Sequence, residues 1–510
     1  MNQHIKWIIL SFTTVIIFYG CGSTKVQYPE PSPSAVEGSF ISNEDKFEFG
    51  EREYRADYGT ITVPENRRNA ASRLIHLPVL RIHARTENNN EPVFGLAGGP
   101  GMSNFRFRPF DSLLYDHDFV IVGYRGVDGS TVLDCPEVTD AIEQSGENIL
   151  SEESLRKINE AWKASIHRFD SLGIDVSGYT IPETVEDLEA VRKTFHYDRI
   201  NLISESYGTR IAYLYGILHP QIIHRSVMIG VNPPGGFLLD PLRTDEQLRY
   251  YSRLWANDSV MSKKCPDLAA TMQKVLNNIP RRWGLFSIDP GRVRMATFGM
   301  LYHRKTAAMA FDSYVAAEKG DYSGLALMSL AFDYVMPEMV WGDVVAKAVS
   351  ADIDYWRKET PENENRILGS PFNEFYWNPL NYGTLKIETI PDSLRVPVQS
   401  DVETLLLSGS VDFANPPECA TALLPYLKNG RQIIMSEAGH VGDLRYLQLD
   451  GTKALVAEYI NKGIADTSKI KYVPMDFEVR WGFPAIAKAT VGAGVFVMAL
   501  LAGGIYWLAN

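Results

Sequence analysis

The sequence predicts an α/β fold, a mostly parallel sheet flanked by helices with a mainly helical segment inserted late in the chain. Three features of the 510 residues lead there. Short apolar runs bounded by Gly and Pro recur, as strands buried on both faces do. Helical patterns alternate with them, which implies parallel strands joined by crossovers. The alternation stops between Gly235 and about Ile390, then resumes.

Taken in order, "MNQHIKWIILSFTTVIIFYGCGS" has Lys6, an apolar stretch and a small residue before Cys21, and reads as a secretory signal over residues 1–20. Its "FYGC" ending resembles a bacterial lipobox, which would make Cys21 the lipidated N-terminus; an uncleaved anchor is the alternative. The Pro- and Ser-rich "VQYPEPSPSAVEG" suits a tether over 21–46, with ordered structure expected near Phe47. A first core part is expected over 47–234. Its strand-like runs are "YGTITVP", "LIHLPVLRIHA", "EPVFGLAGG", "DFVIVGYRG", "RINLISES" and "RSVMIGV". "IPETVEDLEAVRKTFH" and "YGTRIAYLYGILHP" supply helices between them, the first opening on proline and early carboxylates.

Residues 235–390 form the expected cap, rich in Trp (Trp255, Trp283, Trp341, Trp356, Trp377) that reads as core. The second core part, 391–463, resumes with "VETLLLSGSVD" and "RQIIMSEAGH" and closes on a helix from about Leu444 to Ile460. A linker over 464–488 leads to an uncharged stretch, 489–509, long enough to span a bilayer as a transmembrane helix.

A net charge of −12 without a basic stripe argues against nucleic acid as a partner. No pair of cysteines has zinc-ligand spacing, so no metal is expected. Cys135 in "LDCPE" and Cys265 in "KKCPD" each precede a proline in a turn-like context, and a disulfide between them is the candidate bridge in an oxidising compartment. Cys419 reads as a buried helix residue.

The chemistry centres on "NLISESYGTR". A strand ending at Ser204, a turn at Glu205 and Ser206, and a helix from Tyr207 make the strand-turn-helix context of a nucleophile elbow, in which Ser206 is exposed on a sharp bend. The bland alternative is a helix N-cap. Serine needs a base to take its proton and a third group to orient that base. Asp412 in "LLLSGSVDFANPP" and His440 in "IIMSEAGHVGD" each follow a strand, in the chain order such a set requires. Ligands bind at that end of an open α/β sheet. "GLAGGPGMSN" offers a Gly-Gly turn whose backbone can approach a developing oxyanion, with Gly99 and Tyr207 as N–H donors. Glu205 reads either as a carboxylate for a peptide's amino terminus or as one stabilised by the following helix; Glu338 and Glu374 are further acidic candidates in the cap.

"GGPGMS", "YRGVDGS", the segment from "YTIPETVEDLEAVRKTFHYDRI" through "NLISESYGTRIAYLYGILHP", and "LLLSGSVDFANPPECA…SEAGH" resemble the α/β-hydrolase family, in its branch of prolyl iminopeptidases and tripeptidyl aminopeptidase-like exported hydrolases. The resemblance covers roughly residues 55–235 and 395–460. It implies an α/β-hydrolase fold with a cap after the sixth strand, no cofactor, and an acyl-enzyme on Ser206 with His440 as base, Asp412 orienting it, and Gly99 and Tyr207 binding the oxyanion. The implied substrate is a small peptide, with an ester or a purely binding role as alternatives. Ala97 and Ser204 depart from the branch, which commonly has His and Gly there.

Overall fold

Neighbouring residues of the central strands point to opposite faces, and both faces are apolar. Val93, Ile203 and Leu405 enter one buried cluster; Phe94, Leu202 and Leu406 enter the other. That period-two division, with helices over both sides, is why these strands read as continuous apolar runs. The computed structural model describes residues 28–87, 90–335, 339–358 and 366–493. The expected signal, Cys21, Glu338 and residues 494–509 of the expected membrane span lie outside them.

The strands are β1 (Phe40–Phe49), β2 (Arg52–Pro64), β3 (Leu74–Ile82), β4 (Val93–Leu96), β5 (Phe119–Val122), β6 (Ile200–Glu205), β7 (Ile223–Ile229), the short β8 (Arg282–Trp283) and β9 (Phe286–Ser287), β10 (Glu403–Gly409) and β11 (Gly430–Met435). Among the described residues nine of them form one sheet in the order β1-β2-β3-β5-β4-β6-β7-β10-β11. Pairs from β1 to β5 along this order are antiparallel, and every pair from β5 to β11 is parallel.

The crossovers and flanks are α1 (Pro136–Glu143), α2 (Glu152–Ser171), α3 (Ile181–Thr194) and α4 (Tyr207–Leu218). The cap holds α5 (Pro241–Asn257), α6 (Met261–Lys264), α7 (Leu268–Leu276), the β8–β9 hairpin, α8 (Pro290–Met300), α9 (Arg304–Glu318), α10 (Ser323–Val335), α11 (Trp341–Lys358) and α12 (Pro371–Tyr376). The core then closes with α13 (Pro417–Leu423), α14 (Val441–Tyr446) and α15 (Leu449–Lys462).

Four features differ from the sequence reading. β1 begins at Phe40, inside the expected tether, because its whole length pairs with β2; the cap therefore follows the seventh strand, not the sixth. The cap also recruits α1 and α2: Val138, Ile158 and Trp162 pack in one cluster with Trp341, Phe375 and Trp377. Residues 464–488 are docked rather than free. Phe477 is buried in the cap core beside Trp255, with ring centroids 5.2 Å apart, the Tyr472 hydroxyl and the Met475 N–H both donate to Glu437 at 2.5 Å, and Arg304 donates to the Val473 carbonyl at 3.0 Å. Finally, Cys135 and Cys265 are free thiols, not a disulfide. Each is buried in a different cluster, Cys135 with Trp162 and Trp341, Cys265 with Trp255 and Leu268, and Cys265 Sγ lies 3.0 Å from Thr271 Oγ1.

Among the described residues no helix is long and apolar enough to cross a membrane. The chain is helical over 483–493, where the description ends.

Candidate active site

Ser206 sits between β6 and α4 with φ 50° and ψ −122°, one of three non-glycine residues at positive φ among those described. Such backbone costs on the order of 1–3 kcal/mol and persists only where surrounding structure holds it. Here the Ser206 N–H donates to the Ile229 carbonyl at 2.8 Å and the Thr209 hydroxyl donates to the Ser206 carbonyl at 2.6 Å. Its side chain makes no N-cap bond, so the elbow reading, not the cap, describes it. Ser204, where the branch has Gly, is buried and donates its hydroxyl to the Val227 carbonyl at 3.1 Å, so the extra oxygen is satisfied without displacing the turn.

Asp412 follows β10 and is fully buried. One carboxylate oxygen accepts the Ala414 and Asn415 N–H groups at 2.9 and 2.8 Å, and the other lies 2.8 Å from His440 Nδ1. That contact places the proton on Nδ1 and leaves Nε2 as the acceptor. His440 follows β11, and its ring lies against Gly230, where a β-carbon would fall 2.9 Å from Cε1. Ser206 and His440 thus flank the Ile229–Gly230 turn at the C-terminal end of β7. Among the described residues no hydrogen bond joins the Ser206 hydroxyl to the imidazole.

The cap completes the histidine's seat, which the sequence reading missed. The His440 N–H donates to the Tyr302 carbonyl at 2.6 Å, and the Tyr302 ring meets the imidazole edge-on at 5.3 Å. Asp443 accepts the Gly439 N–H at 2.9 Å and the Arg304 N–H at 3.0 Å, binding the loop to the start of α9. His303, in the same turn, has its imidazole pushed below its usual value by burial.

The Gly-Gly turn meets the elbow at Gly98. A β-carbon on Gly98 would lie 3.0 Å from Ser206 Cβ and 3.6 Å from its Oγ. Tyr207 opens α4, so its N–H has no intrahelical acceptor. Among the described residues no acceptor takes the Gly99 N–H or the Tyr207 N–H. The loop is fixed by Asn104, which accepts the Ala97 N–H at 2.7 Å and donates to the Val122 carbonyl at 2.8 Å, and by Asp343 of α11, which accepts the Gly101 N–H at 2.9 Å. Asp343 pairs with Lys347 in full burial, and burial pushes its carboxyl up.

Glu205 does not present a free carboxylate. It is ion-paired with Arg445 of α14, whose guanidinium also donates to the Arg108 carbonyl at 2.6 Å and lies 4.3 Å from the Phe110 ring centroid. Glu374 is paired with Arg294 at 2.6 Å. Neither arginine was singled out from sequence, where nothing local announces a partner so far along the chain.

A family profile described as the alpha/beta hydrolase fold matches residues 91–306. The sheet order, the elbow and that match define an α/β-hydrolase fold. Within that class, the sequence likeness runs to the tripeptidyl aminopeptidases of Streptomyces lividans and Streptomyces coelicolor, each 26% identical over 192 residues. The alignment covers 34% of this chain and about a third (35%) of the length of either relative. Among solved structures, proline iminopeptidase from Mycobacterium smegmatis is 14% identical with a TM-score of 0.34, covering 79% of this chain and 98% of that one. A 2-hydroxy-6-oxo-6-phenylhexa-2,4-dienoate hydrolase from Rhodococcus is 12% identical with a TM-score of 0.37, covering 83% and 100%.

Proposed function

We propose that this chain is an exported, membrane-tethered serine hydrolase, an aminopeptidase that removes N-terminal residues or short peptides from small peptides. The observation that carries the hydrolase reading is the buried Asp412–His440 pair set at the same sheet edge as a serine held in strained backbone. The likeness to tripeptidyl aminopeptidases supports the peptide substrate.

In the proposed reaction Ser206 Oγ attacks the scissile carbonyl while His440 Nε2 takes its proton. Asp412 stabilises the imidazolium, and the N–H groups of Gly99 and Tyr207 receive the oxyanion. The imidazolium then protonates the leaving amine, and water, deprotonated by His440, releases the acyl group from Ser206. Catalytic hydrogen bonds of this kind are often long in the free enzyme and tighten when substrate binds.

Ester hydrolysis on the same machinery is the second reading. What favours keeping it is that Glu205 and Glu374 are both committed to arginines, so neither is free to receive a peptide's amine. The proposed location is the outer side of a bacterial cytoplasmic membrane, held by residues 489–509 and by lipid on Cys21.

A fluorophosphonate probe should label the wild-type protein and not Ser206→Ala, whose turnover should fall by about 10⁴- to 10⁶-fold. Unlabelled wild type would defeat the hydrolase reading. Brisk hydrolysis of simple esters with no release from aminoacyl arylamides would defeat the peptidase reading alone.

A further inference from the structure

The cap's β8–β9 hairpin exposes a side chain that nothing in the fold covers. Its register pairs Arg282 with Ser287 and Trp283 with Phe286 across a two-residue turn, Gly284 and Leu285. Gly284 has φ +56°, as a tight hairpin turn requires. Trp283 and Phe286 stack with centroids 5.7 Å apart, and Leu285 at the tip is 91% exposed, the most exposed large hydrophobic residue among those described. Arg281 and Arg282 stand at its base. Arg281 lies within 3.7 Å of Glu147 yet stays 59% exposed; Arg282 is exposed and has no carboxylate partner among the described residues. Trp283 and Phe286 are half-buried against the cap core, so the uncovered apolar tip is Leu285 alone, and its place above two cations on a chain of net charge −12 is a local reversal of the protein's character.

The hairpin's base and the terminal helix both contact α10. Asp289, two residues past β9, donates its N–H to Ser329 of α10 at 3.0 Å. Six residues earlier on the same helix, the Ser323 hydroxyl donates to the Pro484 carbonyl at 3.3 Å, and Lys488 pairs with Asp321 at 2.7 Å. At 1.5 Å per residue, hairpin base and terminal helix meet α10 about 9 Å apart. The helix over 483–493 takes in the first residues of the uncharged stretch 489–509. Trp481, 61% exposed, stands just before that helix. Aromatic rings and cations of this kind concentrate at the headgroup level of a bilayer.

We propose that the β8–β9 hairpin is a membrane-surface contact. Leu285 enters the headgroup and upper acyl region of an anionic bilayer, the half-buried Trp283 and Phe286 beneath it lie at headgroup level, and Arg281 and Arg282 meet lipid phosphates. The hairpin thereby gives the cap a second point of attachment beside the terminal helix. The proposal rests on the membrane tether proposed above and is independent of the catalytic reading.

The test reconstitutes the full chain into vesicles of phosphatidylcholine with one quarter phosphatidylglycerol, with and without bromine on the upper acyl chains. Flotation reads the tether; the difference in tryptophan emission between wild type and Trp283→Phe reads the hairpin. The expected result is flotation of both proteins and a Trp283 component quenched roughly twofold or more by brominated lipid. Leu285→Gln, at an uncovered tip, should fold normally and lose that quenching, and Arg281→Gln with Arg282→Gln should weaken it. A chain that floats while its Trp283 component is equally bright in both vesicles overturns the hairpin contact, and quenching unchanged in Leu285→Gln does the same. A chain that does not float overturns the tether and the proposal with it.

Discussion

Arg445, five residues after His440, holds the carboxylate of Glu205, the residue immediately before Ser206. The pair ties the elbow at the end of β6 to the helix that follows His440, so the separation of Ser206 and His440 is set in part by an ion pair between their neighbours. Both side chains are largely buried, and losing one partner leaves an uncompensated charge.

Arg445→Met should therefore cost about 3–5 kcal/mol, and Glu205→Gln combined with it should recover most of that loss. Burial pushes the Glu205 carboxyl above its usual range against the pull of Arg445. A carboxyl raised in the folded state contributes stability at low pH that is lost as pH rises through the raised value. Removing Arg445 raises it further, so the melting temperature of Arg445→Met should recover on mild acidification. A loss independent of pH would contradict this account.

Asp412→Asn keeps an acceptor for the Ala414 and Asn415 N–H groups but turns an amide toward His440 Nδ1, which favours the wrong tautomer. Turnover should fall by about 10⁴-fold, with the melting temperature moving far less than the rate.

Gly208→Ala tests the approach of α4 to the Gly-Gly loop. A β-carbon there would stand 2.4 Å from the Leu96 carbonyl oxygen and 2.7 Å from that of Ala97. Both obstacles are backbone and cannot rotate away. Overpacking should cost about 1–3 kcal/mol, and the displaced loop should lower kcat more than it raises KM.

Asp352→Ala should loosen the cap. Arg210 of α4 and Asp352 of α11 form an ion pair at 2.9 Å with both side chains fully buried, and Asp352 also accepts the Gly235 and Phe237 N–H groups at 3.0 Å. A loss of about 3–5 kcal/mol is expected, with new proteolytic cleavage near residue 235.

Glu137→Gln should flatten the acid side of the stability profile. The Arg168 guanidinium at 2.6 Å, with Ser165 donating at 2.8 Å, lowers the Glu137 carboxyl from its usual 4.5 to about 2. Its stabilisation is present above about 4.5 and lost as pH falls toward 2. Thermal melts from pH 6 to 2 should show a shallower decline in the variant.

The residues of the proposed catalytic set are each announced locally in the sequence: an apolar strand, then a small or polar residue just past its end. Ser206, Asp412 and His440 share that signature, and parallel strands bring such ends to one edge. What escaped depends on contacts between distant segments. The Tyr302 carbonyl under His440 and Asp343 beneath the Gly-Gly loop exist only once cap and core have docked, Arg445 meets Glu205 only once the two parts of the core have joined, and no periodicity encodes either. The bridge expected between Cys135 and Cys265 failed for the same reason. A proline after each cysteine speaks to the local turn and says nothing about which hydrophobic cluster each thiol joins. β1 escaped because its exposed face is rich in charge, and strand pairing supplied what apolar patterning did not.

The docked stretch after α15 carries a practical consequence for anyone shortening the polypeptide to obtain a water-soluble preparation. Ending it at Gly463, where the last sheet-covering helix stops, would pull Phe477 out of its aromatic neighbours and take from Glu437, three positions ahead of His440, both of its hydrogen-bond donors. A stop codon placed just after Lys488 spares those contacts and removes the whole uncharged stretch 489–509.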